Sequence, residues 1–285
     1  MGNLETRFKL TLHYDGSAFH GWQVQPGQPT VQGALEAVVS RLTGEHRTVL
    51  GAGRTDTGVH ATGQVAAVTM PSTWTAPELI RSLNAMLPRT IWVRDARAVG
   101  DGFDPRREAI LRSYRYRVGT APHAASPFHR RWCWPLCRAL DLDAAARAAS
   151  LLVGEHDFRA FAKTGQPQRG YACRVSAAGW RPWSDEGVVF EISANRFLHR
   201  MVRYLAGTMV DIALKRRREE DMSQLLLSGE TRRVTPPTGT TTSPARVSTS
   251  PARLTTSPPA PAQGLCLTRV EYPKHATVAS TVPDM

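Results

Sequence analysis

The sequence predicts an α+β fold resting mainly on antiparallel sheet. Several short runs alternate apolar and polar residues, the period of a half-buried strand, and they are mixed in irregular order with runs of helical period. Two of them, 172 to 180 and 187 to 194, flank Pro182 to Gly187 as the arms of a hairpin would. At 285 residues the chain is long enough for about two domains. The stretch from Gly100 to Pro105 is the best boundary, giving an N-terminal α+β domain (1–104) and a C-terminal one (105–285).

Arg7 to Tyr14 alternates and reads as a strand. Thr30 is placed to cap a helix whose one side carries Val31, Leu35, Val38, Val39 and Leu42. Residues 63 to 68 form the next strand, and Thr75 with Pro77 opens a second helix through Ile80, Leu83 and Leu87. Strands follow at Ile91 to Val99 and Leu111 to Val118, then a helix from Asp141 to Leu152. After the hairpin, a long helix is expected over 196 to 214, a shorter one over 219 to 227, and a closing strand around Leu265 to Tyr272.

Residues 234 to 263 break this pattern. Seven of the thirty are Pro, eight Thr and four Ser, and a seven-residue unit recurs from Thr241, Ser248 and Thr255. Pro in every unit forbids a helix. The composition predicts an extended, disordered insert bearing Arg246 and Arg253.

Charge points to a polyanionic partner. There are 36 basic residues against 24 acidic ones, a formal charge of +12, and each cation that meets a phosphate releases counterions. Only four of the basic residues are lysines. Compositional bias would give the same excess, but Arg suits phosphate forks and base stacking better than Lys does. Cys133, Cys137, Cys173 and Cys266 lack the second close pair that a zinc site needs, so no metal is expected and the thiols read as reduced, mostly buried groups of a cytoplasmic protein. No run approaches the roughly twenty apolar residues of a membrane span, and no signal segment opens the chain. Met1 to Thr6 fits a myristoylation pattern, but a strand begins directly after it.

Most of the functional information lies in Ala52-Gly-Arg-Thr-Asp-Thr-Gly-Val-His60. A single carboxylate, Asp56, follows a cation, Arg54, on a loop bracketed by Gly53 and Gly58. On its own chemistry an Asp between glycines is more often an Asx-turn or cap residue. A dinucleotide fingerprint, suggested by Gly51 and Gly53, fails because Asp56 stands where the third Gly belongs, and a Walker loop is absent.

The run nevertheless resembles the Gly-Arg-Thr-Asp signature of the pseudouridine synthases, specifically the tRNA pseudouridine synthase A (TruA) family. Other blocks are similar in family order: Leu12-His-Tyr-Asp-Gly16 with Phe19, Gly21, Trp22, Gln23 and Gln25; Thr30-Val-Gln-Gly33 with Leu35-Glu36; Arg112-Ser-Tyr-Arg-Tyr116; Asn195 to Arg203 with Gly207; and Gly264 to Leu267 with Val270 and Tyr272. The resemblance spans about residues 8 to 273, departing where the insert replaces a short loop. It implies two α/β subdomains with a cleft between them, and isomerisation of uridine to pseudouridine at positions 38, 39 and 40 of the tRNA anticodon stem-loop. It also implies a homodimer whose shared groove holds the tRNA.

That isomerisation breaks the N1–C1′ bond, turns the base and rejoins it through C5, with no net redox change and no cofactor. An ionised carboxylate can trap the electron-poor C1′. The resemblance gives that role to Asp56, pairs it with Arg203, and has Tyr114 stack on the target base after it leaves the RNA stack. Arg54 is implied to sit beside the flipped base and touch RNA backbone. Arg196, Arg200 and Arg203 fall at i, i+4 and i+7 of the expected helix, one basic stripe, so Arg196 and Arg200 are expected to bind substrate. A protein that binds RNA without catalysis would keep the basic face but would not need Asp56.

Overall fold

The computed structural model describes residues 4–163, 170–230 and 254–273. Among them, ten strands form one sheet: β1 (Glu5–Tyr14), β2 (Leu50–Gly51), β3 (His60–Pro71), β4 (Ile91–Val99), β5 (Leu111–Gly119), β6 (Trp134–Pro135), β7 (Gly154–Asp157), β8 (Ala172–Trp183), β9 (Gly187–Ala194) and β10 (Leu265–Glu271). The α-helices are α1 (Val31–Thr43), α2 (Ala76–Met86), α3 (Leu142–Ser150), α4 (Met201–Ala213) and α5 (Glu220–Glu230). The main path of the sheet runs β4-β1-β3-β10-β5-β9-β8-β7, antiparallel except between β3 and β10, with short β6 lying parallel to the end of β5.

Local chemistry accounts for most boundaries. The Thr30 hydroxyl accepts from the Gly33 N–H at 3.2 Å and starts α1, and Gly44, at φ 79°, ends it. Glu78 reaches back to the Thr75 N–H at 3.0 Å at the head of α2, with Pro77 in the first turn. Asp141 caps α3 by accepting from the Ala144 N–H, so the helix begins one residue later than the sequence suggests.

Two hydrophobic cores share one sheet face. The first joins Phe8, Leu10, Leu12, Ala66, Val68 and Val93 to Leu35 and Val39 of α1 and Leu79 and Leu83 of α2. The second joins Tyr116, Val175, Phe190 and Ile192 to α3, α4 and α5. Leu265 pairs across the sheet with Tyr116, and Leu267 with Tyr114, yet Leu265 belongs to the second core and Leu267 to the first. Both cores therefore meet along β5 and β10, and Tyr114 packs against each of them.

The structure corrects two expectations. The helix predicted over 196 to 214 begins only at Met201. Residues 195–200 instead leave β9 as a turn: the Asn195 N–H donates to the Arg174 carbonyl, Leu198 is pulled into the second core, and Arg200 takes the left-handed conformation at φ 63°. These tertiary contacts outweigh helical propensity.

The second correction concerns the insert. Residues 234–253 lie outside the described residues. Residues 254–263, expected to be disordered with them, form a strap packed along α4. Ser257 donates from its N–H to the Thr208 hydroxyl at 3.2 Å, and the Ala260 N–H donates to the Arg203 carbonyl at 3.0 Å. Arg217 donates to the Thr255 carbonyl at 2.6 Å, and the Tyr116 hydroxyl donates to the Pro261 carbonyl at 2.8 Å. Ser257 and Ala260 are buried. A Pro-rich segment is thus held by hydrogen bonds, by close backbone approach, and by Ala260 in the second core with Leu254 and Ala262 packed against it. Gly207 makes that approach possible, since a Cβ there would lie 2.4 Å from the Pro258 carbonyl oxygen.

A polar clamp ties β1 and β3 to the connection after β5. The Gly16 N–H donates to His60 Nδ1 at 3.0 Å, leaving the proton on Nε2, which lies 3.1 Å from the Arg131 carbonyl. The Arg131 guanidinium in turn pairs with Asp15 and donates to the Ser17 hydroxyl. Burial lowers the His60 pKa, against the opposing pull of Asp15.

Two outcomes are expected. Gly207→Ala should destabilise the fold by about 1–3 kcal/mol by pushing the strap off α4, read as a lower melting temperature; an unchanged midpoint would mean that the strap yields freely. His60, held neutral, should contribute stability that is complete above its unfolded pKa of about 6.5 and lost as pH falls toward its lower folded value, because the unfolded chain takes up the proton first. His60→Gln, which can accept from Gly16 and donate to Arg131, should melt with a weaker dependence on pH between about 7 and 5 than wild type. Equal slopes would remove His60 as a source of that dependence.

Candidate active site

The loop that carries Asp56 is built by its backbone. The Trp22 N–H donates to the Thr55 carbonyl at 3.0 Å, the Tyr14 and Thr55 hydroxyls lie 2.8 Å apart, and Gln64 donates to the Gly53 carbonyl at 2.7 Å. The Val59 N–H then closes a turn onto the Asp56 carbonyl at 3.1 Å, with Gly58 at φ 78° supplying the left-handed residue that such a turn needs. These contacts leave the Asp56 side chain no part in holding its own loop. Both of its carboxylate oxygens instead reach across to the segment before α4 and to α4 itself, so the Asx-turn alternative does not describe it.

Arg203 Nη1 lies 3.2 Å from Asp56 Oδ2, and both side chains are mostly shielded, at 13% and 19% exposure. The same guanidinium donates through Nε to the Ala260 carbonyl of the strap at 2.7 Å. Arg203 is thereby fixed at two points, one on the carboxylate and one on the backbone. Arg200 Nε stands 4.0 Å from the same Asp56 oxygen, and His199 Nε2 is 3.1 Å from the other, Oδ1. The left-handed turn at Arg200 is what allows two consecutive side chains to face one carboxylate.

Tyr114 stands on β5 beside this group. Its ring meets Phe197 edge-on with centroids 5.0 Å apart, and its hydroxyl lies under Gly53 of the loop. Burial pushes its phenol up to about 12, opposed by Arg112 and helped by the Asp56 charge, so it stays protonated at neutral pH.

The structure therefore brings Asp56, Arg203, Tyr114 and Arg200 together. Arg54 is exposed at the loop. Arg196 does not share a helical stripe with Arg200 and Arg203, because it precedes α4; it sits half-buried near Cys173. Two participants were missed. His199 stands three residues after Arg196 and four before Arg203, on the same face of the expected helix, and that spacing was a usable signal. The Ala260 carbonyl is a backbone group in a low-complexity stretch, and no side-chain pattern announces it.

Chemically, the arrangement presents a shielded carboxylate oriented by a guanidinium, next to an aromatic face. Burial pushes the Cys133 and Cys173 thiols up to about 11, which makes them poor nucleophiles. Among the described residues, no group of three or more His, Cys, Asp or Glu could hold a metal ion, and no helix is long and apolar enough to cross a membrane.

The family model described as tRNA pseudouridine synthase matches residues 11–106 and 148–273. Proteins named tRNA pseudouridine synthase A are similar over most of their length. The one from Moorella thermoacetica is 39% identical over 93% of this chain and 98% of its own. That from Myxococcus xanthus is 40% identical over 81% of this chain and 86% of its own, and that from Solidesulfovibrio magneticus is 39% identical over 93% and 91%. The matched ranges hold the Asp56 loop and the Arg203 helix alike, and on this evidence the chain belongs to the tRNA pseudouridine synthase family.

Proposed function

We propose that the protein isomerises uridine to pseudouridine in tRNA, with Asp56 as the nucleophile. The observation that carries this reading is the Asp56–Arg203 pair at 3.2 Å beside Tyr114. Arg203 pairs with the carboxylate in a shielded cleft and aims one oxygen, while the exposed side admits a base turned out of its stack. As the N1–C1′ bond breaks, Asp56 captures C1′. The uracil turns against the Tyr114 ring, which supports a flat base without fixing its rotation, and C5 then displaces the carboxylate from C1′. Arg54 lies beside the flipped base. Arg200, close to Asp56, and Arg196, farther along the same segment, contact the RNA.

Uridines 38 to 40 of the anticodon stem-loop are the proposed targets, and a homodimer the proposed assembly, both on the family resemblance. We further read the chain as two subdomains divided near Gly100 to Pro105. The first brings Arg54 and Asp56, the second Tyr114 and Arg203, so the cleft lies where their cores meet. The excess of positive charge suits the tRNA backbone.

Asp56→Asn should abolish pseudouridine formation while leaving tRNA affinity within about tenfold, because phosphate contacts dominate such an interface; product above a no-enzyme control would remove Asp56 from the nucleophile's role. Arg203→Met should lower turnover far more than tRNA affinity. It leaves Asp56 without its charge partner and the Ala260 carbonyl without its donor. Wild-type turnover by this variant between pH 6 and 8 would show that the pair is dispensable.

A further inference from the structure

Resting on the pseudouridine synthase reading, and on a contact that had no part in it, we propose that His199 is the base that removes the uracil C5 proton, with Asp56 as the carboxylate behind it. His199 Nε2 is 3.1 Å from Asp56 Oδ1, the oxygen that Arg203 does not hold. A carboxylate only accepts, so Nε2 carries a proton, and the neutral imidazole then presents its lone pair on Nδ1. The side chain is 55% exposed, open to a base entering the cleft. Its backbone is held by the Lys163 N–H, which donates to the His199 carbonyl at 3.1 Å, and by the left-handed turn at Arg200.

The reaction requires such a group. Once C5 has bonded to C1′, C5 carries both that bond and its hydrogen, and the ring holds a C6=N1 double bond. Rearomatisation breaks C5–H. The C5–H electron pair forms C5=C6, the C6=N1 pair moves onto N1, and N1 takes up a proton. One proton leaves carbon and one joins nitrogen, and nothing is oxidised or reduced.

The other groups around Asp56 suit this step poorly. Arg54, Arg200 and Arg203 are guanidiniums with no lone pair to offer. The Tyr114 phenol, raised to about 12, keeps its proton. Asp56 is engaged at C1′ until the C5–C1′ bond forms. That bond formation releases the carboxylate back to the His199 Nε2–H, so the His–Asp pair is complete when the C5 proton must leave. His199 can then return the proton to N1 or pass it to water.

The test uses the full-length enzyme and tRNA carrying either hydrogen or deuterium at uridine C5. His199→Gln keeps an amide N–H for Asp56 but cannot accept a proton. It should melt as wild type does, hold KM nearly unchanged, and lose about a hundredfold in kcat. C5–H cleavage should become rate-limiting, so that a primary deuterium isotope effect appears or grows relative to wild type. A variant turning over within about threefold of wild type, below the usual worth of a general base, would overturn the proposal. So would a large loss with no change in isotope effect, which would mean that His199 only positions Asp56. If the unmodified enzyme leaves tRNA uridines unchanged, the underlying reading fails; active wild type with an equally fast variant sinks the His199 proposal alone.

Discussion

The Arg203 guanidinium is shared between the Asp56 carboxylate and the Ala260 carbonyl, and much of the molecule serves that arrangement. A lone Arg in a shielded cleft would be free to adopt several rotamers and would be costly to desolvate. Donating Nε to a backbone oxygen at 2.7 Å removes both problems at once, because it satisfies one donor and defines the direction of the others. The backbone oxygen is in turn immobilised by the Ala260 N–H on the Arg203 carbonyl, so strap and helix hold each other reciprocally at the same two residues. Ser257 on Thr208 and the missing Cβ of Gly207 extend the grip along one further turn. The carboxylate's position then follows from two rigid supports, the hydrogen-bonded loop on one side and the strapped helix on the other.

Much of the fold was legible because its determinants are local. Phe8, Leu10, Leu12 and Tyr14 alternate with polar neighbours, and this puts β1 in the sheet whatever lies beside it. Thr30, Thr75 with Glu78, and Asp141 mark helix starts through side chains within three residues of the backbone they cap. Where the reading failed, distant partners decided. Residues 195–200 contain no helix breaker, yet the Arg174 carbonyl and the second core draw them into a turn. Residues 254–260 have the composition of a disordered tract, yet Thr208, Arg217 and the backbone of Arg203 provide partners that lie far away in sequence.

The site divides in the same way. Asp56, Arg203 and Tyr114 were visible as side chains in ordered blocks, and the structure brings them together. Arg196 was placed by helical arithmetic, and it moved away when the helix proved shorter. His199 lay on the same arithmetic face, four residues before Arg203, and was passed over because that face was read for its arginines alone.

β10, the last of the described strands to be made, occupies the middle of the sheet. Until residues 265–271 leave the ribosome, the strands on either side of that slot have nothing to bond along it. Both halves then expose a raw edge of backbone donors and acceptors, the kind of surface that recruits strands from other chains. The order of synthesis therefore opposes the order of assembly: two cores can condense early, but the seam on which Tyr114 and the Asp56 loop converge is sewn only at the end. Closing it brings together residues from opposite ends of the sequence, a slow event in topological terms. Translation interrupted just short of Leu265 would leave β3 and β5 without the strand that lies between them.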